Sequence, residues 1–318
     1  MKMETLSAKD PRRCQHGMGP KTLKGCCMPP QNLEAALEAT VALAWEAADV
    51  ALAHYRPGIT VDTKGGDPGN LVTQADRDVN TLLVERLQRA YPDDAILAEE
   101  SITSHDFKSR QHCRRLWCID PIDGTREFVE RSGQFAVMIG LAIDGAARLG
   151  VVLQPTEARV YAGCLLGDGR ALAWTADREG FKQPLRVGTI DRPDDARLMV
   201  SRTFRSRGIT LLAQRLGVKQ MQPLGSVGLK MARLARGEAD LYVSLSSQTH
   251  EWDACGPEAI LRAAGGTVTD LDGLPLRYNK ELTPTPRGIV ASNGALHGGC
   301  LEALRAIEEQ RRKGLPRP

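Results

Sequence analysis

Apolar and polar positions change period several times along the chain, and each change predicts an element. Asn32 opens the first helix, with Leu33, Leu37, Val41, Ala44, Ala48 and Leu52 recurring at helical spacing until Pro57-Gly58. Residues 59–72 begin as a strand and become a glycine-rich loop in which Lys64 offers a cation to an anion. Thr73 to Asp76 open a second helix, with Val79, Leu82, Leu83 and Leu87 on its apolar face and Tyr91-Pro92 at its end. A short strand from residue 95 ends at Glu99-Glu100. Leu116 to Ile119 reads as a buried strand that Pro121, lacking an N–H, should stop. Gly133 to Asp144 is another strand. The runs 149–153, 158–165 and 170–174 predict an antiparallel meander with turns at Pro155-Thr156 and Gly167-Asp168-Gly169.

The second half alternates. The segment 175–196 is polar and carries the expected domain boundary. Arg197 to Ser201 is a strand that delivers Arg202, and Thr210 to Leu216 is a helix that Gly217 caps. Gly225-Ser226 opens a helix that carries Lys230 and ends at Arg236-Gly237. A strand follows at 240–245, then a helix from Glu251-Trp252-Asp253 to Ala264, strands at 267–271 and 288–292, and a charged helix at 295–312. The reading is α/β (α+β), with residues 1–31 a disordered basic extension, 32–185 an α+β domain and 186–318 an α/β domain.

Bulk numbers narrow the class. The chain has 318 residues, 42% apolar and 25% charged, as expected of a soluble globular protein with ample core. A net charge of +3 is too small to argue for nucleic acid, and the basic surplus sits at the ends (Arg12, Arg13, Lys21, Lys24; Arg311, Arg312, Lys313, Arg317), where solvated tails are expected. No apolar stretch suits a bilayer and no signal-peptide core is present, so the expectation is a cytoplasmic protein without a membrane partner. Eight irregularly spaced cysteines read as reduced thiols. Cys14, His16, Cys26 and Cys27 offer zinc ligands, but adjacent ligands at 26 and 27 suit a tetrahedral site poorly.

Chemistry concentrates in L-W-C-I-D-P-I-D-G-T-R-E, residues 116–127. Asp120 and Asp123 stand at the mouth of a strand beside a Gly-containing loop, where carboxylates suit Mg²⁺ and loop N–H groups suit a phosphate. An Asp-Pro turn beside an Asp-Gly turn is the alternative. Asp76 serves a helix dipole or catalysis, and Glu99-Glu100 a solvated loop or a site. With Asp253 these make four acidic stations, which would repel one another unless cations neutralise them. Six histidines without H-E-x-x-H favour carboxylate-oxygen metal chemistry over zinc, and no Walker A sequence is present.

Three motifs in order, Glu99-Glu100-Ser101, D-P-I-D-G-T at 120–125 and W-D-A-C-G at 252–256 with A-G-G at 264–266, resemble the signatures of the inositol monophosphatase superfamily across roughly residues 32 to 292. Arg126-Glu127-Phe128, Val200-Ser201-Arg202, Gly225-Ser226 with Lys230, and Pro275-Leu276-Arg277-Tyr278 look most like the bacterial 3′(2′),5′-bisphosphate nucleotidases of the CysQ type. The loop G-N-L-V-T at 69–73 departs from them toward the inositol phosphatases, and the spacing from Gly225-Ser226 to Lys230 carries one residue more than in some members. The resemblance implies a layered α-β-α-β-α sandwich of the inositol monophosphatase and fructose-1,6-bisphosphatase type. It implies Mg²⁺, two or three per site, held by Glu100, Asp120, Asp123, Asp253 and the Ile122 carbonyl. Asp76 and Thr125 would orient the metal-bound water with Glu99 near it, and lithium would inhibit. The N–H groups of Gly124 and Thr125 would hold the phosphate, and Arg202, Ser226 and Lys230 the rest of the substrate.

The leading expectation is removal of the 3′-phosphate from adenosine 3′,5′-bisphosphate by a monomer or homodimer without nucleic-acid partners. Its rivals are an inositol or sugar phosphatase and a metal- and anion-binding protein without turnover. A chain starting at Asn32 is expected to fold and turn over normally, because residues 1–31 lack apolar period. Loss of folding on truncation, or stoichiometric zinc on the full chain alone, would show that Cys14 to Cys27 form a structured unit.

Overall fold

A computed structural model of the chain describes residues 32–56, 61–63, 71–101, 106–202, 206–285 and 287–312. The described residues belong to one compact unit. The expectations for residues 1–31, including the Cys14–Cys27 zinc reading, and for Pro57-Gly58, Lys64 and the tail beyond 312 lie outside the described residues.

The helices are α1 (Leu33–His54), α2 (Gln74–Ala90), α3 (Asp106–Arg110), α4 (Thr125–Val129), α5 (Arg207–Leu216), α6 (Val227–Ala235), α7 (Glu251–Ala263) and α8 (His297–Arg312). The strands are β1 (Val61–Thr63), β2 (Leu71–Thr73), β3 (Ala95–Ala98), β4 (Arg115–Asp123), β5 (Ala136–Ile143), β6 (Ala146–Gln154), β7 (Arg159–Leu165), β8 (Ala171–Asp177), β9 (Lys182–Pro184), β10 (Arg197–Ser201), β11 (Gln220–Leu224), β12 (Leu241–Ser244), β13 (Thr267–Thr269) and β14 (Ile289–Ser292). Strands β3 to β9 make a seven-stranded sheet in sequence order. It is antiparallel except for the parallel pair β3 and β4. The other large sheet runs β11-β10-β12-β14-β13, with β10 parallel to both its neighbours. The chain passes from one sheet to the other between β9 and β10, where the polar segment near 185 had suggested a boundary.

Packing stacks these elements as α-β-α-β-α. Helices α1 and α2 cover one face of the large sheet through Leu37, Ala44, Val79 and Leu83 against Trp117, Ile119, Val137 and Val151. Helices α6 and α7 fill the space between the sheets with Leu229, Met231, Cys255 and Ile260 against Cys118, Met138, Tyr242 and Ala291. Helices α5 and α8 cover the outer face of the second sheet through Leu212, Ala213, Cys300 and Leu301. Residues 116–119 alternate between the first two cores, which is why they form an unbroken apolar run.

Most boundaries follow local chemistry. The Asn32 carboxamide accepts the N–H groups of Glu34 and Ala35, and Gly217 ends α5 at φ 73°. Three expectations need correction. Leu52 is 36% exposed because the buried stripe of α1 ends on Ala51. Strand β11 was not foreseen; its Gln220, Gln222 and Pro223 are tolerated because it is a sheet edge. Strand β4 does not stop at Pro121: it runs to Asp123, with its register against β5 shifting between Asp120 and Asp123. Proline is accommodated in such an irregularity, where a ladder N–H is not required.

Helix α7 lies almost on the backbone of the large sheet. A Cβ on Gly150 would come within 1.9 Å of the Gly256 carbonyl oxygen, and one on Gly140 within 2.5 Å of the Gly256 nitrogen. Gly150→Ala is expected to destabilise the fold by about 3 kcal/mol or more, since neither backbone can yield. Gly167→Ala, with nothing within 4 Å, serves as the control. Denaturant midpoints measure both, and equal stability of the two variants would contradict the close approach.

Candidate active site

The register shift in β4 brings its two aspartates together. In a regular strand, residues three apart face opposite sides. Here Asp123 adds to the charge acting on Asp120, and the Ile122 N–H donates to Asp120 Oδ1 at 3.1 Å. The chain then turns through Gly124 at φ 96°, a conformation that other residues adopt only with strain, and Thr125 begins α4.

Thr125 faces Asp76. Its hydroxyl lies 3.3 Å from Asp76 Oδ1 and 3.3 Å from the Ile122 carbonyl oxygen. Asp76 is held from its other side, because Oδ2 accepts the Thr73 N–H at 2.7 Å and the Thr73 hydroxyl at 2.6 Å. This is a capping box at the start of α2, so both alternatives for Asp76 apply: it caps a helix with one oxygen and reaches Thr125 with the other. The sequence reading placed Thr73 at the start of this helix, and the structure adds its two contacts to Asp76.

Asp120 and Asp253 have carboxyls pushed well above the usual range, first by burial and then by the charge of neighbours. Glu99 and Asp123 act on both. Asp253 caps α7, accepting the His250 N–H at 2.7 Å. Burial also raises Asp123, while the Ser226 hydroxyl, Lys230 and the N–H groups of Gly228 and Val227 oppose it. Its Oδ2 accepts from Ser226 Oγ and, at 2.7 Å, from the Gly228 N–H, so it sits on the N-terminus of α6. The two glutamates act on different neighbours. Glu99 hydrogen-bonds with Asp120, whereas Glu100 acts on Arg77 together with Asp76. They lie in a 3₁₀ turn, Glu99–Ser101, which rotates successive side chains by about 120°.

Among the described residues, no three acidic, histidine or cysteine side chains converge as they stand on one ion. The donor chemistry nonetheless fits a hard divalent cation. It is all oxygen and anionic, and its carboxyls are raised as charges without neutralising partners would be. Asp120, Asp123, Asp253, Glu99 and the Ile122 carbonyl are the residues that fit.

The expected substrate residues are arranged differently from expectation. Lys230 is buried, 3% exposed, where it was expected to meet a second phosphate. Its ammonium donates to the carbonyls of Leu224 (3.3 Å) and Gly225 and lies 5.3 Å from the Tyr242 ring centroid. Burial lowers its pKa to about 8 against the pull of Asp123, Glu127 and Asp253. Carbonyls of the loop before α6 accept from this cation, and the acids act on it by charge. Arg202 pairs with Glu127 and Glu130. Gln134, unforeseen, accepts the Gly225 N–H through its side chain (3.0 Å) and the Ser226 N–H through its carbonyl (3.3 Å), joining the segment after α4 to the loop before α6.

Comparison with known proteins gives these residues a context. Residues 32–309 match the inositol monophosphatase family, and the chain belongs to it. Members of this family hydrolyse phosphate esters, so the chain is an enzyme of the phosphatase class. It is 32% identical over 245 residues to the 3′(2′),5′-bisphosphate nucleotidase CysQ of Escherichia coli K12, covering 76% of this chain and 93% of that one. It is 32% identical over 218 residues, 67% of this chain and 74% of the other, to a 3′-phosphoadenosine 5′-phosphate phosphatase of Mycobacterium leprae. Among solved structures, CysQ from Bacteroides thetaiotaomicron superposes with a TM-score of 0.68 at 26% identity, covering 82% of this chain and 98% of that one. The Thermotoga maritima IMPase superposes at 0.70 and 23% identity over 87% and 99%, which shows the shared fold. No helix among the described residues is long and apolar enough to cross a membrane.

A carboxyl that titrates above 3.8 in the folded chain makes the fold bind extra protons, so stability falls as pH rises from about 4 to the folded pKa. Asp120→Asn is therefore expected to abolish hydrolysis yet stabilise the chelator-treated protein at neutral pH, on the order of 1 kcal/mol. Thermal unfolding with phosphate release measures both. A variant that hydrolyses normally removes Asp120 from the site.

Proposed function

We propose that the chain is a Mg²⁺-dependent nucleotidase that removes the 3′-phosphate of adenosine 3′,5′-bisphosphate. The observation that carries the reading is the Thr125 hydroxyl, set between Asp76 Oδ1 and the Ile122 carbonyl at 3.3 Å from each, beside a buried acid set. The identity to nucleotidases over three quarters of the chain supports the substrate class.

The chain's own groups then divide the work. Thr125 gives its hydroxyl proton to Asp76 or to the Ile122 carbonyl, which leaves an oxygen lone pair to accept a hydrogen of the attacking water and fix its orientation. Asp76 cannot turn away, because Thr73 holds its second oxygen. The water oxygen forms the new bond to phosphorus, the bond from phosphorus to the ribose 3′-oxygen breaks, one water proton passes by way of Thr125 to Asp76, and the departing 3′-oxygen takes a proton from solvent to leave as the hydroxyl. Mg²⁺, when bound by Asp120, Asp123, Asp253, Glu99 and the Ile122 carbonyl, supplies a lowered water pKa and neutralises charge on the phosphoryl group. The N–H groups of Gly124 and Thr125 hold the phosphate. Lys230 offsets the charge of Asp123 and Asp253 from within the fold.

Phosphate release from adenosine 3′,5′-bisphosphate, inositol 1-phosphate and fructose 1,6-bisphosphate, with and without Mg²⁺, tests the reading. The nucleotide is expected to lead, with no release in chelator. Preference for inositol 1-phosphate would make the chain an inositol phosphatase. Thr125→Ala is expected to lower kcat about 100-fold or more while the apparent substrate affinity stays put, since water orientation matters only in the transition state. A change confined to KM would deny Thr125 this role.

A further inference from the structure

We propose that Glu127 and Glu130 form a clasp on Arg202 that selects substrates with a second phosphate: Glu127 fixes the guanidinium, and Glu130 holds its outer edge until a substrate anion takes that edge. The proposal rests on the nucleotidase reading and names the residues that set its specificity.

Arg202 follows β10 and is tied to the loop before α6, its backbone N–H donating to the Leu224 carbonyl at 3.2 Å. Its side chain is one-third exposed. Nε faces Glu127 Oε1 at 3.4 Å and Nη2 donates to Glu130. The two glutamates are three residues apart at α4 and its C-terminal cap, so they share a face.

Their surroundings differ. The Glu127 side chain is 7% exposed and wedged between two glycines. Its Cγ lies 2.4 Å from where a Cβ on Gly225 would be, and its Oε2 lies 3.3 Å from a Cβ position on Gly124. This carboxylate therefore cannot leave without vacating a packed slot between the two loops that lead to Thr125 and Ser226. Glu130 is 45% exposed and free to swing into water. Surface pairs of that kind are weak and replaceable. A phosphate carries more charge than a carboxylate and accepts two parallel N–H bonds from a guanidinium fork. An anion on the substrate, away from the phosphate at Thr125, can thus displace Glu130 while Glu127 keeps Nε in place. A substrate with one phosphate has nothing to exchange and meets only the negative rim of Glu130.

Competition against para-nitrophenyl phosphate hydrolysis by the full chain with Mg²⁺ reads the binding of adenosine 3′,5′-bisphosphate and adenosine 3′-phosphate whether or not either is hydrolysed. Glu130→Gln is expected to tighten the bisphosphate about 3- to 10-fold relative to the 3′-phosphate, and Glu127→Gln to weaken it about 10-fold. In an Arg202→Ala background, Glu130→Gln should change that ratio by less than 2-fold. An unchanged ratio in Glu130→Gln, or a bisphosphate that competes no better than the 3′-phosphate in both parent and variant, overturns the clasp. Because Glu127 is packed, Glu130→Gln decides the matter if Glu127→Gln fails to fold. A bisphosphate that competes as expected but releases no phosphate would instead overturn the nucleotidase reading and leave the clasp standing.

Discussion

Carboxylates that repel one another are held inside this fold, and the arrangement of the scaffold depends on that constraint. Burial raises all three of Asp120, Asp123 and Asp253, and the charges of Glu99 and Asp123 raise Asp120 and Asp253 further. Free carboxylates would relieve such repulsion by moving into water. These cannot, because each hangs from an element packed on two sides. Strand β4 is covered by both the outer and the middle core, and α7 rests on the backbone of β5 and β6 through Gly140, Gly150 and Gly256. A hard divalent cation bound among them would offset that repulsion.

The same economy of contacts joins acids to cations elsewhere. Asp123 takes the free N–H groups of α6, and Lys230, carried by α6, lies buried where Asp123, Glu127 and Asp253 all act on it. Glu127 reaches Arg202 from the slot between Gly124 and Gly225. The loop that begins α4 and the loop that begins α6 are therefore coupled by charge as well as by Gln134.

Much of this was legible in the sequence. The caps at Asn32 and Gly217, the apolar faces of α1 and α2, the unbroken apolar run before Asp120 and the acid stations are local patterns, and local patterns fix helix starts, strand burial and metal-binding potential. Edge strand β11 was invisible because its pairing depends on β10 rather than on its own polar residues and proline.

What the sequence determined by itself was the inventory: which residues are acidic, where chains turn, and which runs must be buried. Tertiary structure decided direction. Neighbours Glu99 and Glu100 carry the same side chain, yet from one 3₁₀ turn Glu99 hydrogen-bonds with Asp120 while Glu100 acts on Arg77. Lys230 reads as one more helix lysine until the fold places Asp123 and the Leu224 and Gly225 carbonyls around it. Asp123 acts on Asp120 from within one strand whose register against β5 shifts between them. Side-chain direction depends on backbone rotation and on neighbours distant in sequence, and neither is written in residue type or spacing.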